Sequence, residues 1–193
     1  MKEYLKATNV IDWKHAKILS QAKELADGKS NINDIARVCF EWVRDEIKHI
    51  DACDISTVTC KASEVIEVGA GICYAKSHLL AALLRANLIP VSFCYQRLSL
   101  DDKGPPFCLH GLNAVYLPNI GWYRIDARGN KEGLNAQFTP PKEQLAFSIH
   151  LEGEVNFPEI WPEPLPIVVK ALKKYKVKEE LINNLPDIPI VSV

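Results

Sequence analysis

The chain has 193 residues, 48% of them hydrophobic and 24% charged, with a formal net charge of −1 from 23 basic and 24 acidic side chains. That length and composition suit one ordinary domain with a real core. The balanced charge, without a basic run, excludes nucleic acid or an anionic membrane as an obligate partner. No stretch approaches the ~18 to 20 apolar residues of a membrane helix, and Met1-Lys2-Glu3-Tyr4-Leu5-Lys6 lacks the apolar run of a signal peptide. A cytoplasmic protein is expected.

In chain order, Trp13, Ala16, Ile18, Leu19, Ala22, Leu25 and Ala26 fall at helical spacing, predicting an amphipathic helix over 12–27 that ends at Gly28. Asn31 or Asn33 caps a second helix over roughly 34–48, with a stripe of Ile35, Val38, Cys39, Trp42, Val43 and Ile47. Residues 50–61 read as an irregular connector. Ser63 caps a short helix over 64–68 that stops at Gly69. The segment from Tyr74 to Ala86 is apolar nearly all round, so it is expected as a central, buried helix ending near Asn87. Val91–Leu98 reads as a strand. Leu109–Leu117 and Trp122–Ala127 read as a hairpin. Residues 154–166 hold four prolines and are expected to wrap the surface in extended form, with Trp161 as an anchor or, alternatively, as part of a partner ligand. Residues 167–185 suit one or two short helices. The order of elements predicts an α+β fold: N-terminal helices and a central helix packed on an antiparallel sheet.

Six cysteines stand at positions 39, 53, 60, 73, 94 and 108, and none forms a C-x-x-C pair. That spacing gives no support to structural zinc, and no acidic cluster resembles a calcium loop. Cys39 and Cys94 read as core, while Cys53, Cys60 and Cys108 lie in or near loops. Cys73 differs. It sits where Gly69-Ala70-Gly71-Ile72 turns into the central helix. A thiolate there faces unpaired amides and the positive end of the helix dipole, both of which lower its pKa. The thiolate is the nucleophile, and the Cys73 amide can donate to a developing oxyanion.

A cysteine nucleophile needs a base, and the base needs an orienting group. His15 and His49 are expected in or beside the N-terminal helices, half exposed. His78 lies five residues beyond Cys73 and is badly placed to meet it. His110 is expected to open a strand. If the hairpin loop is Pro118-Asn119-Ile120, Leu117 pairs with Gly121 and Leu112 with Asp126, which sets His110 and Asp126 on one face, a diagonal step apart. An even loop would separate them. Taken singly, His110 reads as a strand-edge surface histidine, and Asp126 as a cap for the turn at Ala127-Arg128-Gly129-Asn130.

Three blocks together resemble the transglutaminase-like superfamily. They are Ala62 through Gly71-Ile72-Cys73 to Arg85-Ala86-Asn87-Leu88-Ile89-Pro90, His110-Gly111-Leu112-Asn113-Ala114-Val115-Tyr116, and Gly121-Trp122-Tyr123-Arg124-Ile125-Asp126. The resemblance spans roughly 35–135, and residues 140–193 read as an extension packed on that core within a single domain covering 1–193. It departs from many members at Leu112 and Ala114, where they carry Trp and Glu. It implies a papain-like fold and a Cys73-His110-Asp126 triad that needs no metal or cofactor. It also implies acyl transfer on a peptide or protein amide through a thioester, with hydrolysis expected over transfer to an amine. A peptide-binding module without catalysis is the alternative. No motif fixes a second oxyanion donor; Tyr95 and Gln96 are the candidates.

Overall fold

The computed structural model describes residues 1–190. Its helices are α1 (Ala16–Ala26), α2 (Ile32–Glu46), α3 (Ala62–Val68), α4 (Cys73–Ala86), α5 (Pro166–Lys174) and α6 (Lys178–Ile182). The strands are β1 (Lys48–His49), β2 (Ala70–Gly71), β3 (Val91–Ser99), β4 (Phe107–Leu117), β5 (Gly121–Ile125) and β6 (Val155–Asn156). β3 to β6 form an antiparallel sheet in the order β5-β4-β3-β6, while β1 and β2 form a separate parallel pair. The α+β layout is the expected one.

Local chemistry explains the helix ends. The Asn31 side chain accepts the Asp34 amide at 2.8 Å, so Asn31 caps α2. α3 begins two residues earlier than expected, because the Glu64 carboxylate reaches back to the amides of Cys60 and Lys61. Ser63 is therefore not its cap; it lies inside the helix and donates to Asp12. Gly69 closes α3 in the left-handed region at φ 73°.

α4 is the axis of the molecule. Every residue from Cys73 to Arg85 is buried, polar ones included. The polar groups find partners: His78 bonds Cys60 O at 2.7 Å, and Lys76 Nζ donates to Arg44 O at 3.2 Å and to Ile47 O. Lys76 thus ties the end of α2 to the first turn of α4, directly behind Cys73. One apolar cluster runs from Val10 through α4 and the inner face of the sheet to Leu181.

The β4–β5 hairpin has the three-residue turn the site requires. Leu117 pairs with Gly121 and Asn113 with Ile125, so Asp126 follows directly on β5. Residues 155–161 do more than wrap the surface. They add to the outer edge of β3, where Trp161 and Phe93 exchange backbone hydrogen bonds of 2.9 and 2.7 Å.

Candidate active site

Cys73 is the first residue of α4, and Ile72 precedes it in extended conformation. The amides of that first turn have no partner within the helix, so the thiol belongs to the residue at the positive end of the α4 dipole. Tyr74 packs against Gly111, whose missing side chain leaves the ring room; a Cβ there would lie 2.8 Å from Tyr74 Cδ1. That close approach of α4 to β4 brings Cys73 beside His110, the neighbour of Gly111.

His110 is the fourth residue of β4 rather than its first, because the strand begins at Phe107. Its Nε2 bonds Asp126 Oδ2 at 2.8 Å. With Nε2 engaged, Nδ1 is the ring nitrogen left for a second partner, and Cys73 lies close enough for its charge to act on the ring. Asp126 is fully buried and also accepts the amides of Arg128 at 3.1 Å and Ala146 at 3.2 Å. Phe147 stands edge-on to the His110 ring, 4.9 Å between centroids, and shields the pair from water.

Burial, the largest cause in each case, pushes the thiols of Cys39, Cys94 and Cys108 up to about 12, with the Cys73 and Asp187 charges adding to it at Cys108. Burial also works to raise Cys73, but the charge of His110, helped by His49, outweighs it and holds this thiol well below its ordinary range. For His110, burial works downward, and the Asp126 and Cys73 charges prevail, leaving the ring well above the usual histidine value. Asp126 is held low against burial by His110 and by the two backbone amides. The three residues predicted from the sequence are therefore adjacent, and their charges favour a thiolate–imidazolium–carboxylate array.

His49 is the residue that sequence reasoning placed wrongly. It is buried rather than half exposed, and it lies close enough to Cys73 to act on the thiol. The parallel β1–β2 pair causes this, since His49 is registered with Gly71, two residues before Cys73. The Asp51 amide donates to its Nδ1 at 3.3 Å, leaving Nε2 for the thiol. No local pattern around position 49 signals a pairing with position 71. Tyr95 and Gln96, the candidate second donors, are both engaged by other partners. The Tyr95 hydroxyl accepts the Leu165 amide, and Gln96 Nε2 donates to Phe147 O at 3.2 Å and Asn156 Oδ1 at 2.8 Å. Gln96 instead fixes the loop that lays Phe147 over His110.

The cleft at the thiol has a volume of about 550 Å³. Among the described residues, no group of three His, Cys, Asp or Glu side chains is arranged to hold a metal ion. No helix among them is long and apolar enough to cross a membrane.

Solved structures share this architecture. One from Cytophaga hutchinsonii, named provisionally as a cysteine protease, is 22% identical with a TM-score of 0.51, over 65% of this chain and 40% of that one. Another from Parabacteroides distasonis, named provisionally as a protease, is 14% identical with a TM-score of 0.45, over 71% of this chain and 26% of that one. The first likeness speaks for the fold alone, and this chain spans less than half the length of either. No curated protein matches the chain in sequence. The family model of the transglutaminase-like superfamily matches residues 20–127, more than half of the chain and all of Cys73, His110 and Asp126. By that match the chain belongs to the transglutaminase-like superfamily.

Proposed function

We propose that the chain is a thiol-dependent hydrolase of peptide or protein amides, working as one domain through Cys73, His110 and Asp126. The carrying observation is the 2.8 Å bond from His110 Nε2 to buried Asp126, with Cys73 near enough to the same ring for the two charges to act on each other. Cys73 Sγ attacks the amide carbonyl, and His110 gives its Nδ1 proton to the departing amine, leaving a thioester. Water, deprotonated by His110, attacks the thioester and releases the acid and the free thiol. Asp126 fixes the ring so that Nδ1 faces sulfur, and stabilises the imidazolium.

The oxyanion that forms in each half needs two donors. The Cys73 amide at the start of α4 is one. His49 is the other: its Nδ1 is turned to Asp51, whose amide and carboxylate both lie 3.3 Å away, which leaves Nε2 for the side of the sulfur, where an Nε2–H can donate. An amine in place of water would give transfer rather than hydrolysis, and the only nucleophile the cleft always holds is water.

Incubation with a library of peptide amides, quenched in acid and read by intact mass, tests this. An acyl adduct on Cys73 that decays to free acid is expected, and added lysine methyl ester should divert little of it. An adduct that decays only when the amine is present would make the chain a transglutaminase. Complete absence of adducts, with a folded protein, would leave the cleft as a binding site.

A further inference from the structure

β4 is longer than its partner β5. Pairing with β5 ends at Asn113, so the stretch from Phe107 to Leu112 has a free edge on that side, and His110 lies in it. The edge is not left open. The Leu109 amide donates to Pro186 O at 2.7 Å, while Leu109 O accepts the hydroxyl of Tyr74, the neighbour of Cys73. One residue on, Asp187 takes a two-pronged ion pair from Arg97, with both N···O distances at 2.7 Å. Arg97 is prepared for a carboxylate: its third nitrogen is held by Gly153 O at 2.7 Å, and its guanidinium stacks 4.0 Å from the centre of the Phe107 ring. Leu185, just before Pro186, lines the same cleft as Cys73 and His110.

A segment with no helical or strand structure of its own thus gives a backbone acceptor to the edge of β4, a carboxylate to Arg97 on β3, and one apolar side chain, Leu185, to the cleft. Those are the contacts by which an extended peptide adds to a strand edge. Resting on the hydrolase reading, we propose that Leu185–Ile188 is an intramolecular stand-in for substrate. The edge of β4 at Leu109, together with Arg97, is the docking site for an extended peptide carrying an apolar residue and, two positions later, a carboxylate side chain. The chain's own segment occupies that edge, with Leu185 at the cleft wall, until such a peptide displaces it.

The test compares labelling of Cys73 by a bulky polyethylene glycol maleimide with labelling by iodoacetamide. The proteins are the full chain, Asp187→Ala, and a chain stopped after Asn184. The bulky-to-small rate ratio is expected to rise about tenfold in the shortened chain and by a smaller factor in Asp187→Ala, because the open fraction sets the apparent rate. A synthetic peptide of residues 184–190 should bring the ratio of the shortened chain back down, and the same peptide with alanine for Asp187 should not. An unchanged ratio in Asp187→Ala and in a folded shortened chain overturns the proposal. If the shortened chain does not fold, Asp187→Ala decides alone. The iodoacetamide rate reads the activated thiol separately, so normal activation with an unchanged ratio sinks only the stand-in, and a sluggish thiol throughout sinks the hydrolase reading.

Discussion

Burial pushes three thiols in this molecule up to about 12, while Cys73, equally buried, is held low by the histidines it touches. The difference lies in partners, and each partner has a separable effect. Asp126→Ala leaves the His110 ring free to turn and removes the charge that supports the imidazolium. Turnover should fall by about 10²- to 10⁴-fold, measured as kcat/KM. The same variant has a pH signature in stability. Asp126's contribution exists above the ordinary carboxylate pKa of ~3.9 and fades as pH falls through its lowered value; His110's is complete below ~6.5 and fades as pH rises through its raised value. Thermal melts should therefore differ most from the parent between roughly pH 4 and 6.5. His49→Ala removes a donor that matters once charge has moved to oxygen. It should lower kcat by about 10²-fold while slowing iodoacetamide labelling of Cys73 only slightly. Equal losses in both would make support of the thiolate, rather than donation to the oxyanion, its main role.

Between elements, the geometry depends on two features of different visibility. The three-residue turn Pro118-Asn119-Ile120, with Asn119 at φ 65°, fixes the β4–β5 register and sets Asp126 against His110. That demand was legible because strand parity excludes an even loop. The helix Cys73–Ala86 was legible for a similar reason, since a segment apolar on all sides has to be buried. The β1–β2 pair was not. It is two residues long, parallel, and joins positions 22 apart, so neither periodicity nor turn chemistry reveals it, and His49 went unseen with it. The approach of α4 to β4 is the third feature, and Gly111 permits it. Gly111→Ala would set a methyl 2.8 Å from the buried Tyr74 ring. The ring has no free volume to yield into, so α4 must slide, at a cost of about 1–3 kcal/mol. Its melting temperature should fall, and Cys73 labelling should slow further than the lost stability explains, because Cys73 and His110 are pulled apart.

Across the whole molecule, the legible part is the stretch whose chemistry is local. The three motif blocks lie inside residues 20–127, where the family match also lies. Beyond that stretch the sequence showed prolines and short helices but not where they dock. Docking is decided by which sheet edge is open, and open edges are a property of strand lengths elsewhere in the chain. β3 is left uncovered on one side, and residues 155–161 take that side; β4 outruns β5, and residues 185–187 take the vacancy. Both additions converge on the cleft. The first carries Asn156, which helps Gln96 hold Phe147 over His110, and the second places Leu185 beside the thiol.

The central claim is that Cys73 and His110 form an activated pair. Its most direct test is the rate of alkylation of Cys73 by iodoacetamide from pH 4 to 9, in the parent protein and in His110→Ala, read by peptide mass spectrometry. The expected result is fast labelling with an apparent pKa well below the ~8.5 of a free thiol. In His110→Ala the midpoint should move above that value, toward the buried thiols of Cys39 and Cys94. Labelling no faster than at Cys53, and indifferent to His110, would contradict the account.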